Sequence, residues 1–78
     1  MQTITRERAE DFVKYLEQVG TVKEGSHKDP SVIETIQAVC ALDDKEFASS
    51  EFASSGGANY FHSEYQDYME RGEYRIKH

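Results

Sequence analysis

Tryptophan is missing, proline and cysteine occur once each, and leucine occurs only twice, at Leu16 and Leu42. One cysteine, Cys40, cannot close an internal disulfide. Small secreted domains usually carry several paired cysteines, so an intracellular, cytoplasmic address is expected. Cys40 lies in the apolar run 36–42 and reads as a small buried hydrophobe. Few leucines, with nine valines and isoleucines, leave nine aromatics as the main apolar bulk. A core must therefore be built largely from Phe and Tyr. With 78 residues there is room for one core, so residues 1–78 form a single small domain. Rings buried in so short a chain offset the entropy of ordering it with little surplus, so marginal stability, self-association or a partner is expected.

Other absences narrow the function. No run approaches the ~18 apolar residues of a membrane span. The start, Met1-Gln2-Thr3-Ile4-Thr5-Arg6, lacks the apolar segment of a signal peptide. His27, His62 and His78 are scattered, and no paired Cys/His spacing, HExxH or calcium-loop pattern occurs, so no metal is expected. Asp43 and Asp44 are adjacent and point apart, which excludes a carboxylate dyad between them. Gly56-Gly57 lacks the sequence of a phosphate loop, and no nucleophile elbow surrounds a serine. Nothing here calls for an enzyme or a cofactor.

Basic clusters are also missing. Nine Lys and Arg stand against fifteen Asp and Glu, giving a formal charge of −6. The acids are unevenly placed. Residues 43–70 hold seven of them (Asp43, Asp44, Glu46, Glu51, Glu64, Asp67, Glu70) and one base, Lys45, while the remainder of the chain is balanced. Direct nucleic-acid binding is opposed by this charge. So is a helix-turn-helix reading of residues 30–52, which would present Glu46 and Glu51 to phosphates.

The apolar spacing predicts helices. Ala9, Phe12, Val13, Leu16 and Val19 fall on one stripe, with Tyr15 beside it, Thr5 as cap and Gly20 just past the end, giving a helix over 6–19. Residues 21–29 read as a loop. Asp29-Pro30 opens a second helix over 30–41, with Val32, Ile33, Ile36, Val39 and Cys40 on its apolar face. Asp43 and Glu46 have the spacing of a capping box, and Phe47, Ala48 and Phe52 suggest one face of a short third helix. The tandem Glu46-Phe47-Ala48-Ser49-Ser50 and Glu51-Phe52-Ala53-Ser54-Ser55 repeats with a period of five, which matches neither helix nor strand. Its serines weaken the helix, and Gly56-Gly57 is expected to end it. Asn59 is then the cap of a fourth helix over 60–71, with Phe61, Tyr65, Tyr68 and Met69 inward, His62 as a polar residue of its start and Gly72 as its C-cap. The alternating tail 73–78 suits a short strand paired with Gln2, Thr3 and Ile4. The expected fold is mostly α, a compact bundle of three or four short helices, with a possible two-stranded ribbon joining the termini.

The fourth helix alternates Tyr60, Phe61, Tyr65 and Tyr68 with Glu64, Asp67 and Glu70. A core-packed helix with a solvated acidic face has this pattern. A binding surface has it too, because tyrosine offers rigid contact area and carboxylates steer toward cations. Tyr60, beside the stripe, is the ring that core packing explains least. The expected function is therefore non-catalytic protein binding through Asp43, Asp44, Glu46, Glu51, Tyr60, Glu64, Asp67 and Glu70. The partner would be a protein with a basic surface, such as a nucleic-acid-binding complex. An inhibitor encoded by a mobile genetic element, of anti-restriction or anti-CRISPR type, is one concrete form. The alternative is a structural or regulatory homodimer packed through Phe/Tyr faces.

Asp29-Pro30-Ser31-Val32, leading to Ala41-Leu42-Asp43-Asp44, loosely resembles the helix start at which acyl carrier proteins attach phosphopantetheine to the serine of an Asp-Ser-Leu motif. Here Pro30 separates the Asp from the Ser, and Val32 replaces the leucine. The resemblance implies modification of Ser31 and covers about fifteen residues.

Overall fold

The computed structural model describes residues 3–71. They form four α-helices and two 3-10 turns: α1 (Arg6–Gln18), a turn at Ser26–Lys28, α2 (Pro30–Cys40), α3 (Asp44–Ala48), a turn at Glu51–Ser54, and α4 (Gly56–Arg71). The fold is the expected helical bundle. No strand occurs among the described residues. The ribbon between the termini depends on the tail 73–78, which lies outside them.

Local chemistry sets the helix ends. Thr5 Oγ1 accepts the Arg8 N–H at 3.1 Å and starts α1. Val19 is the C-cap rather than part of the helix. Gly20 then takes φ +79° and donates to the Glu17 carbonyl, while Thr21 N–H returns to Leu16 O at 2.9 Å. These two bonds form a Schellman motif, which needs a left-handed residue at Gly20. Asp29 caps α2 through the Ser31 N–H, with Pro30 in the first turn. The capping box of α3 is complete: Asp43 Oδ1 accepts from Glu46 N–H at 2.7 Å, and Glu46 Oε1 accepts from Asp43 N–H at 3.0 Å.

Two expectations fail at the start of α4. Gly56-Gly57 does not end a helix but opens one, four residues before the expected start. Ser55 Oγ accepts the Ala58 N–H at 3.2 Å and acts as the cap. Asn59 is not the cap. Its amide donates to the carbonyls of Ala53 and Ser55 at 2.9 and 2.8 Å, tying the first turn of α4 to the preceding loop. The third helix is also shorter than expected. It stops at Ala48, and Phe52 lies on a 3-10 turn instead.

The core has two parts. The larger gathers Phe12, Val13, Tyr15 and Leu16 of α1, Ile33, Ile36 and Cys40 of α2, and Tyr65 and Tyr68 of α4. Phe12 lies edge-on to Tyr65 with centroids 5.1 Å apart and 5.2 Å from Tyr68, so rings form the layer between α1 and α4. The smaller part joins Val39, Phe47 and Ala58, with Leu42, Phe52 and Phe61 at its edge, and Phe61 packs against both. Both phenylalanines of the tandem repeat thus serve the same small cluster.

Candidate functional site

The acidic residues fall on three pieces of the surface. On α4, successive residues turn by about 100°. Tyr65 and Ala58 mark the buried side. Glu64, Asp67 and Glu70 then occupy an arc of about 120° facing outward, and Tyr60 lies inside that arc. Glu70 and Tyr60 are exposed, whereas Glu64 and Asp67 are half-buried. Tyr60 keeps 40% of its surface and shares a 2.9 Å hydrogen bond with the Thr21 hydroxyl, just after α1. Its ring is thus held across the α1–α4 junction with one side open.

Asp67 is not a bare charge. Its Oδ1 lies 3.1 Å from Arg71 Nε, one turn on. The lopsided charge of 43–70 overlooked Arg71 because it stands one residue beyond. The i, i+4 spacing that reveals the pair was present in the sequence.

The second piece is the start of α3. Asp43 and Glu46 each commit an oxygen to the capping box. The Asp43 N–H holds the Glu46 carboxyl below the usual carboxylate range. Asp44 projects into solvent, its side chain 92% exposed, with Oδ1 4.0 Å from His62 Nδ1. Glu51 is the third piece, exposed in the turn that follows α3. The structure therefore groups Tyr60, Glu64, Asp67 and Glu70 on one face, and Asp43, Asp44 and Glu46 at one helix start. Glu51 stands on its own segment.

Between the start of α3, the end of α2 and the second half of α4 lies a groove of about 370 Å³, lined by Cys40, Leu42, Asp43, Asp44, Tyr65 and Met69 among others. Burial pushes the Cys40 thiol up to about 12, so it is a neutral packing group at physiological pH.

Sequence reasoning missed two side chains here. His62, expected as a polar residue of the helix start, lies instead in the second turn of α4 and is buried. It is 6% exposed, stacks on Phe47 with centroids 4.3 Å apart, and bonds Leu42 O through Nε2 at 2.8 Å. Its place between Ala58 and Tyr65 at i+4 and i+3 was the available signal. Met69, expected inward, is not core. It is 45% exposed, and Arg8 Nη1 lies 3.0 Å from its sulfur. Ser31 is exposed in the first turn of α2, with its N–H held by Asp29. No group of three or more potential metal ligands occurs among the described residues, and no helix among them is long and apolar enough to cross a membrane. Comparison with protein-family models, with curated proteins and with solved structures finds no match to this chain.

Proposed function

We propose that this protein acts by binding another protein, without catalysis, through the acidic outer face of α4 and the adjoining start of α3. The observation that carries the reading is the common outward arc of Tyr60, Glu64, Asp67 and Glu70, opposite the stripe that α4 buries. Carboxylates on a convex surface raise the local concentration of a basic partner, and a half-exposed tyrosine supplies rigid contact area. The partner is a protein whose basic surface otherwise holds nucleic acid. The carboxylates take the place of phosphates, as an inhibitor of anti-restriction or anti-CRISPR type from a mobile genetic element would require. The site of action is the cytoplasm, where such partners work.

The homodimer reading loses support. It needed Phe and Tyr faces to pack between chains, yet Phe12, Tyr15, Tyr65 and Tyr68 are buried within one chain.

The test is affinity capture from the native host, with mass spectrometry of what is retained. A basic nucleic-acid-binding protein should be held at low salt and displaced both by added DNA or RNA and by salt near 1 M, where the screening length falls to about 3 Å. A variant with Glu64, Asp67 and Glu70 all changed to Gln should lose it. Retention that ignores salt, or full retention by the variant, counts against the proposal.

A further inference from the structure

We infer that Thr21, in the segment just after α1, is a positioning residue for Tyr60 and belongs functionally to the binding face of α4. The inference rests on the binding reading above and adds to it a residue that acidic composition does not mark.

Tyr60 is restrained at two places. Its hydroxyl shares the 2.9 Å hydrogen bond with Thr21 Oγ1. Its ring stands at 65° to that of Phe61, with centroids 6.0 Å apart. Phe61 packs against both parts of the core, so it gives the ring a fixed neighbour. Thr21 is itself fixed. Its backbone N–H closes the Schellman motif on Leu16 O, and the next residue, Val22, packs against the larger part of the core. The left-handed turn at Gly20 sets the direction in which the chain leaves α1. The Thr21 hydroxyl is therefore carried by backbone that is anchored on both sides.

The restraint bears on affinity. A tyrosine on the outside of a helix has two rotatable bonds, and ordering a free side chain during association weakens binding. A ring set in place before the partner arrives avoids that loss. Tyr60 is the exposed aromatic residue among the described residues, so it is the ring for which this matters. The bond to Thr21 engages its hydroxyl and leaves the open side of the ring as contact surface, which suits the stem and the cation of a basic side chain.

The test uses the full-length chain, with a blocked peptide of alternating arginine and glycine as the probe of a basic surface. In the free chain, nuclear magnetic resonance should show the Thr21 methyl close to the Tyr60 ring and a single χ1 rotamer for Tyr60. T21V keeps the shape of threonine and removes the hydroxyl. Thr21 is exposed, so the variant should retain the fold while the Tyr60 side chain becomes averaged among rotamers. Its affinity for the peptide should fall about two- to fivefold, within the range for ordering one free side chain on binding. Y60F lacks the other hydroxyl and should lose as much, and T21V with Y60F should lose no more than either alone. T21S retains the hydroxyl and should restore binding. A Tyr60 side chain averaged in the parent or still fixed in T21V, additive losses in the double variant, or no restoration by T21S would overturn the inference. If Y60A binds the peptide as the parent does while the Glu64, Asp67 and Glu70 variant loses it, the positioning role falls and the acidic-face proposal stands. If that variant also binds as the parent does, both fall.

Discussion

His62 Nε2 lies 2.8 Å from the carbonyl oxygen of Leu42, joining the middle of α4 to the hinge between α2 and α3. A carbonyl only accepts, so Nε2 carries the proton and the ring is fixed in one orientation. Phe47 stacks on the same ring, so α3 is held to α4 by one polar and one apolar contact to a single side chain. An H62F variant keeps the stack and removes the donor, leaving a buried acceptor unsatisfied at a cost of about 1–3 kcal/mol. H62Q restores a donor and should recover part of that loss. Urea unfolding of the three proteins measures both changes. An H62F protein as stable as the parent would mean that water already serves Leu42.

Glu17 makes a second polar contact between separate segments. Its Oε2 accepts from the His27 backbone N–H at 2.8 Å and lies 2.7 Å from Nδ1 of the same residue, clamping residues 21–29 onto α1. Burial acts to raise the Glu17 carboxyl, but the hydrogen bonds from the His27 side chain and backbone outweigh it and hold the group below its ordinary value near 4.5. A carboxyl lowered in the folded state contributes stability that is fully present above the ordinary value. That stability disappears as pH falls through the folded value. E17Q should therefore melt below the parent at neutral pH, and the gap should close as pH falls below about 4.5. Melting temperatures between pH 7 and pH 3 decide this, and a gap independent of pH would show that the clamp does not depend on charge.

Gly57 departs furthest from its sequence expectation. The pair Gly56-Gly57 has the composition of a break, yet both residues are helical in the first turn of α4. A Cβ at Gly56 would meet nothing within 4 Å, and one at Gly57 would meet only Ser55 Oγ at 4.0 Å. Neither glycine has a positive φ. Their flexibility thus serves no visible geometric need, and G57A should stabilise the protein by about 0.5–1 kcal/mol by restricting the unfolded chain. In a domain of this size that corresponds to a rise of roughly 2–8 °C in Tm. Calorimetry would detect it, and a fall in Tm would show that the folded chain does not accept a side chain at Gly57.

The same residues show where the sequence was legible. α1 and α2 were readable because their signals agree: stripe, cap and terminator in α1, with Thr5 and Gly20, and stripe and a double start signal in α2, with Asp29 and Pro30. At α4 these signals conflict. Glycine propensity opposes a helix at 56–57, but the Ser55 cap and the packing of Ala58 against Val39 and Phe47 override it. The acidic surface was legible as composition, and α4 periodicity gathered three of its seven acids, Glu64, Asp67 and Glu70, on one face. The interactions that subdue part of that charge, Arg71 on Asp67 and the capping box on Asp43 and Glu46, emerge only when each acid is given its neighbour. The groove was not legible at all, because it depends on how α2, α3 and α4 meet.

The tandem repeat supplies its own control. Each copy contains two serines, and in each copy the second starts the next helical segment. Ser50 Oγ accepts the Phe52 N–H at 3.2 Å ahead of the 3-10 turn, and Ser55 Oγ accepts the Ala58 N–H at 3.2 Å ahead of α4. The first serines differ. Ser49 is the C-cap of α3, and Ser54 only returns a bond to Glu51 O, two features that solvent replaces easily. A period of five therefore encodes one short turn followed by one cap, which is why it matches neither helix nor strand. Replacing a cap serine by alanine costs about 0.5–2 kcal/mol. S50A and S55A should each lose stability in that range, S55A more because it starts the sixteen-residue α4 rather than a single turn. S49A and S54A should stay within about 0.5 kcal/mol of the parent. Chemical denaturation of the four variants tests this directly. Equal effects at all four serines would mean that the repeat acts through composition rather than through the register in which it folds.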